Sequence, residues 1–183
     1  SPMCMVSRMI KAKVPDAYTV FIGPCIAKKS EVKDQQIEGN ADAVLTFSEI
    51  RAIMKAKGVV LTAEENSYQE ASVFGKRYGN SGGVTNAVLE YLKETDNEID
   101  AKVYRANGAA DCKKALLLMK VGRLPEDFIE GMACEGGCVG GPSAFQGEIA
   151  SKKNRDSLIS CADCRTIVEN LSKIDMGAFE HHR

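Results

Sequence analysis

Apolar and polar positions along this chain follow two rhythms. Short β-rich runs occupy 18–22 (Tyr-Thr-Val-Phe-Ile), 43–47 (Ala-Val-Leu-Thr-Phe) and 102–106 (Lys-Val-Tyr-Arg-Ala), with a weaker one at 127–130. Between them the spacing is helical. Ile50, Ile53 and Met54 share one face, with Ser48 placed to cap the helix and Gly58 to end it. From Gly82 onward Val84, Ala87, Val88, Tyr91 and Leu92 form one stripe, and from Ala109 onward Cys112, Leu116 and Met119 form another, with Gly122 just past its end. A last helix is expected over 157–172, carrying Leu158, Cys161, Ala162, Val168 and Leu171. Strands alternating with helices argue for an α/β fold, a mostly parallel sheet flanked by helices. There is no repeat, low-complexity tract or obvious linker. One α/β domain with an extended C-terminal tail is expected, and 136–151 is its most irregular stretch.

Composition narrows the function. At 183 residues the chain is one ordinary domain in size, and 44% hydrophobic with 27% charged residues is globular composition. Lys plus Arg number 24 against 25 Asp plus Glu, a net charge of −1. That balance argues against a nucleic-acid or anionic-membrane partner held by bulk charge. The longest apolar run falls well short of the roughly 18 residues a spanning helix requires. No signal peptide opens the chain, and its first residue, Ser1, marks a processed product or a piece of something longer. Seven cysteines, an odd count, do not suit a disulfide framework and point to a reducing, cytoplasmic setting. Some would bind metal and others would pack as small apolar residues.

In open α/β sheets, sites form beyond the carboxyl ends of strands. Cys25 follows the first strand and Cys134 the fourth, so the two are expected at one edge of the same sheet. The most specific segment runs from Phe128 through Ile-Glu-Gly-Met-Ala to Cys134, then Glu-Gly-Gly to Cys138 and Val-Gly-Gly to Pro142. Two thiolates so spaced can contact one polynuclear centre, and Gly136 and Gly137 allow φ > 0 beside a bulky cluster. A single zinc wants tighter pairs and a further Cys or His, yet both histidines stand at the extreme C-terminus. The plain alternative is a Gly-rich turn with two incidental cysteines. In the second segment, 21–31, Pro24 fixes the turn that aims Cys25. Lys28 and Glu31 follow at helical steps that bring them to one side. The plain alternative there is a helix start with solvated charges. Cys161 and Cys164 form a Cys-x-x-Cys pair, which reads as packing before it reads as a dithiol or metal site. Cys4 and Cys112 read as packing, and the Lys28-Lys29 and Lys113-Lys114 pairs as solvated faces.

Together these segments resemble the iron-only hydrogenase family, in the carboxyl-terminal part of the catalytic domain of its large subunit. That family has a Met-Pro-Cys signature followed by Lys at +3 and Glu at +6, matched here by Gly23-Pro24-Cys25 with Lys28 and Glu31. Its Phe-x-Glu-x-Met-Ala-Cys-x-Gly-Gly-Cys signature is matched from Phe128 to Cys138. The Gly-Gly helix start within 78–92 and the Ala-Asn-Gly-Ala-Ala-Asp segment from Ala106 look similar too. The resemblance covers roughly residues 1–150, with 151–183 as a C-terminal helical extension, and implies one lobe of the catalytic domain. It implies that Cys25, Cys134 and Cys138 are three thiolates on a 4Fe-4S cubane, with Cys138 also bridging to a two-iron subcluster carrying CO and cyanide. Lys28 would donate a charge-assisted hydrogen bond to a cyanide. Met132 would pack beside the two-iron unit, and Glu31 would lie on or near a proton route.

The departures have consequences. A third family signature, of the Thr-Ser-Cys-Cys-Pro type, is absent, and with it a cubane ligand and the proton-donating cysteine. Gly23 stands where the family has Met, and Gly140-Gly141-Pro142 shortens its glycine tail. The resemblance therefore implies a fragment of a hydrogenase whose parent interconverts protons, electrons and dihydrogen, while the fragment alone is inactive and without its cluster. An electron-carrier protein or further iron–sulfur domains upstream would be the partners. The alternative is a non-catalytic, hydrogenase-like iron–sulfur protein for electron transfer or sensing. A cysteine-nucleophile enzyme built on Cys25 is the third reading, and it lacks an internal His as base.

Overall fold

The computed structural model describes residues 1–60, 62, 71–97, 99–160 and 162–179. By their contacts they fall into two compact units, one of residues 1–63, 142–145 and 175–183, the other of 64–141 and 146–174.

The first unit opens with helix α1 (Pro2–Lys13). Pro2 sits in the first turn, where its missing N–H costs nothing. Met3, Cys4, Ser7 and Arg8 share the buried face, so Cys4 packs as expected. Strand β1 (Val20–Gly23), the short helix α2 (Lys28–Glu31) and strand β2 (Ala43–Thr46) follow. β1 and β2 pair in parallel from Val20↔Ala43 to Gly23↔Thr46. Met3, Ala41 and Val44 form the core, with Phe21 and Val32 packed on it. Asp42 ties the strand entries together by accepting the Thr19 amide at 2.6 Å and the Thr19 hydroxyl at 3.0 Å.

Helix α3 (Phe47–Ala56) starts on a different cap from the one expected. Thr46, not Ser48, is the N-cap: its hydroxyl accepts the Glu49 amide while Glu49 accepts the Thr46 amide, a complete capping box. The helix therefore begins directly at the end of β2. Gly58, at φ +67°, ends it as expected.

The second unit holds α4 (Val73–Arg77), α5 (Gly83–Glu94), β3 (Val103–Asn107), α6 (Ala109–Lys120), β4 (Phe128–Met132), α7 (Glu148–Ser160) and α8 (Ile167–Leu171). β3 and β4 pair in parallel from Val103↔Phe128 to Asn107↔Met132, with α6 as their crossover. The four strands and the helices α5 and α6 stand where the apolar spacing puts them. Among the described residues the strands form two two-stranded parallel sheets and not one continuous sheet: β1 pairs with β2 and β3 with β4. The last helix is also two. Thr166 is extended and caps α8 through a box with Glu169, so no helix can run through it from 157 to 172. Cys161 lies outside the described residues, as do both histidines. No described helix is long and apolar enough to cross a membrane.

The α3 box has a pH signature. The Lys29 hydrogen bond, followed by those from the Thr46 amide and hydroxyl, holds the Glu49 carboxyl down at about 2, from 4.5. A carboxyl depressed on folding contributes stability above its unfolded value, and the contribution is lost as pH falls through the folded value. The Lys29–Glu49 pair is solvent-exposed and its contribution falls with salt. The Glu49 side-chain carboxyl resonance should therefore titrate near 2 in the folded protein, and a midpoint near 4.5 would show that the box does not persist in solution.

Candidate cysteine site

The site grows from the start of α5. Gly82, at φ +84°, turns the chain in, and Gly83 follows where any Cβ would lie 2.0 Å from the Arg77 carbonyl oxygen. A glycine N-cap offers no side chain to the unpaired N–H groups of the first turn. Glu130, from the middle of β4, takes that place. Its carboxylate accepts the Gly82 amide at 2.9 Å, the Thr85 amide at 3.2 Å and the Thr85 hydroxyl. Glu130 is 4% exposed and Thr85 1%, so the charge is buried on the positive end of the helix.

Beyond Glu130, β4 runs to Met132, whose carbonyl accepts the Gly108 amide at 2.7 Å. The chain then turns through half-buried Cys134 to Gly136 and Gly137, at φ +77° and +87°. The Gly136 amide donates to Asn107 Oδ1 at 2.8 Å. Asn107 is itself held, since its amide donates to Asp111 at 3.0 Å while the Tyr104 hydroxyl donates to the other Asp111 oxygen at 2.8 Å. Those two bonds, the Asn107 amide first, hold the Asp111 carboxyl below its usual value, and the same contact raises Tyr104. Gly137 is pressed on the turn before α5, where an added Cβ would sit 2.4 Å from the Gly79 oxygen and 2.7 Å from Ser81 N. Asn80 bridges to Gly137, and the Cys138 amide donates to the Gly79 oxygen at 2.6 Å. Cys138 is exposed and opens a short 3-10 turn to Gly140.

In the first unit, Cys25 follows β1 and is half-buried. A Cβ at Gly23 would lie 2.8 Å from the Phe21 ring, which fills the space a longer residue would use. The Ser143 amide donates to the Pro24 oxygen at 3.1 Å and pins the turn that carries Cys25. Lys28 and Glu31 do come to one side, with Lys28 Nζ 2.5 Å from Glu31 Oε2. Burial raises the Glu31 carboxyl, but hydrogen bonds from Lys28 and Ser1 and the charges of Lys28 and the N-terminus hold it below its usual value.

Thus Met132 ends β4 with Cys134 and Cys138 beyond its carboxyl end, and Cys25, Lys28 and Glu31 follow that of β1. Both positions relative to the strands are as expected. The shared sheet edge is not, because β1 and β4 pair with different partners. Among the described residues no three His, Cys, Asp or Glu side chains form a ready metal cage. Cys112 is half-buried against Gly131, with Sγ 3.4 Å from where a Cβ at Gly131 would stand. The residues that seat the loop, Glu130, Thr85, Asn107, Gly79 and Asn80, carry no role in the sequence reading.

The sequence model of the family described as Iron only hydrogenase large subunit, C-terminal domain, matches residues 1–142. The chain belongs to this family. Relatives of the iron-only hydrogenase family include the periplasmic Fe hydrogenase large subunit of Nitratidesulfovibrio vulgaris, 31% identical over 159 residues, 68% of this chain and 38% of that protein. Iron hydrogenase 1 of Clostridium pasteurianum is 32% identical over 164 residues, 69% of this chain and 28% of that protein. The chain thus spans only about a third of the length of these curated relatives. Among solved structures, an FeFe-hydrogenase from a study of oxygen inactivation of the H cluster 2Fe subcluster aligns at TM-score 0.66 and 22% identity, over 94% of this chain and 62% of that one. An FeFe-hydrogenase of Chlamydomonas reinhardtii aligns at TM-score 0.56 and 22% identity, over 92% of this chain and 60% of that one. These likenesses establish the α/β fold.

The donor set suits the iron–sulfur chemistry of the iron-only hydrogenase family. Thiols are the donors that iron–sulfur clusters take, and Cys134 and Cys138 offer two of them on a loop whose Gly136 and Gly137 carry no side chain to crowd one.

Removing the Glu130 carboxylate strands two buried amides and a hydroxyl. Hydrogen bonds to charged groups are worth about 1.5–3 kcal/mol each, so Glu130→Ala should lower unfolding free energy by at least that much. Glu130→Gln keeps one acceptor oxygen and should lie between Glu130→Ala and the unaltered chain in urea midpoint. Equal midpoints for all three would mean the cap contributes nothing.

Proposed function

We propose that this chain is the carboxyl-terminal part of the catalytic domain of an iron-only hydrogenase, whose parent interconverts protons, electrons and dihydrogen. Family membership across 1–142 supports the reading. The observation that carries it is the seating of the Cys134–Cys138 loop, which uses the residues of the family signature to hold two thiols on a glycine backbone.

In this reading Cys25, Cys134 and Cys138 would hold a 4Fe-4S cluster through their thiolates, and Cys138 would also serve a two-iron subcluster. When bound, that centre supplies the redox chemistry, and the protein supplies ligation, donors and a proton path. Lys28 offers its ammonium to an anionic cyanide, for which it would exchange part of its bond to Glu31. Glu31 lies on or near a proton route in this reading, and the loss of its bond to Lys28 would let its lowered carboxyl pKa rise toward the usual range. Met132 gives the two-iron unit an apolar wall. The chain supplies three cluster thiolates, so it is expected to hold no intact cluster by itself. An electron-carrier protein or further iron–sulfur domains would deliver electrons. Near-neutral charge disfavours nucleic acid or a membrane surface as partner. The cysteine usage favours the cytoplasm, although one relative is named as periplasmic.

Infrared spectroscopy of the full-length parent tests the assignment. Cys138→Ala should remove the CO and cyanide stretches together with hydrogen turnover. Lys28→Asn should weaken retention of the two-iron unit while leaving the cubane iron content unchanged. Normal stretches and turnover in Lys28→Asn would remove Lys28 from the site. A parent that loads a cubane but shows no such stretches is a non-catalytic iron–sulfur protein.

A further inference from the structure

Helix α7 lies beyond the 1–142 covered by the family, yet it reaches back to the turn on which the Cys138 loop sits. Arg155 Nη1 donates to Asn80 Oδ1 at 2.6 Å across 75 residues of sequence. The guanidinium is itself oriented by Asp156, with Nη2 at 2.9 Å and Nε at 3.2 Å from Oδ1. Arg155 is only 19% exposed. Further along the same helix, Lys76 donates to the Leu158 carbonyl at 3.4 Å and Ile159 is buried, so α7 is anchored independently of Arg155.

Asn80 is the centre of the seat. Its side chain receives Arg155, its backbone bridges to Gly137, and its preceding neighbour Gly79 accepts the Cys138 amide. Gly137 has no room to shift toward this turn, because an added Cβ would already overlap Gly79, Asn80 and Ser81. Displacement of the turn therefore moves the backbone that presents Cys138.

We propose that Arg155 is a positioning residue for Cys138, acting through Asn80. It fixes the turn against which the Gly137–Cys138 backbone is hydrogen-bonded. The functional weight of this role rests on the reading of Cys138 as a cluster ligand, while the bracing itself does not.

Hydrogen exchange of the 183-residue chain tests the bracing without any cluster. In Arg155→Ala the Cys138 amide should lose about tenfold in protection, the effect of one charged hydrogen bond. Amides of the β3–β4 ladder should be unchanged, whereas general destabilisation would lower all of them together. Asn80→Ala should reproduce the effect, the double variant should add nothing further, and Arg155→Lys should restore part of it. In the full-length parent, Arg155→Ala should shift the reduction potential of the cluster while iron content stays constant. Unchanged Cys138 protection in both single variants would overturn the proposal. Altered protection in the chain, beside a wild-type parent without CO or cyanide stretches, would keep the bracing and sink the hydrogenase reading instead.

Discussion

One buried carboxylate organises the second unit. Burying an ionised group is costly unless donors replace its water, and Glu130 has three, all from the first turn of α5. The arrangement locks β4 to α5 at one point. Because Glu130 is two residues from Met132, the lock also fixes where β4 stops and the cysteine loop begins. On the other side, Gly83 can sit against Arg77 only as glycine, so the turn over 77–83 is equally fixed. The loop from Cys134 to Cys138 is thus held between two parts of the chain that Glu130 joins.

The elements were largely legible in the sequence because they are local. Short β-rich runs marked the four strands, and helical stripes marked α5 and α6. Which strands pair is decided by contacts between residues distant in sequence, and periodicity carries no such information. Hence one sheet was expected where β1–β2 and β3–β4 form two. The α3 cap was legible in principle: Glu49 stands three residues after Thr46, which completes a box that Ser48 lacks. The Thr166–Glu169 spacing carries the same signal and breaks the helix expected over 157–172.

For the site, residue types were more informative than geometry. Gly136 and Gly137 do adopt positive φ, while Gly141 has an ordinary φ of −62°. The step from Lys28 to Glu31 was readable as one helical turn, and the pair forms. The roles of Asn107 and Glu130 were not readable. A polar residue inside a strand run signals a buried hydrogen bond, but its partner lies on another element: Thr85 is 45 residues before Glu130, and Gly136 is 29 after Asn107.

The distance from Gly82 to Glu130 also sets an order of events on the ribosome. Helix α5 begins with glycines and has no cap of its own, so its first turn is marginal when alone. Its cap is 48 residues further along the chain, about 2–10 s of synthesis at typical elongation rates. During that interval Tyr91, Leu92 and their neighbours wait on an unsecured helix for β4 to arrive. A chain that lingers there exposes apolar surface to chaperones and proteases before its cysteine loop has been made.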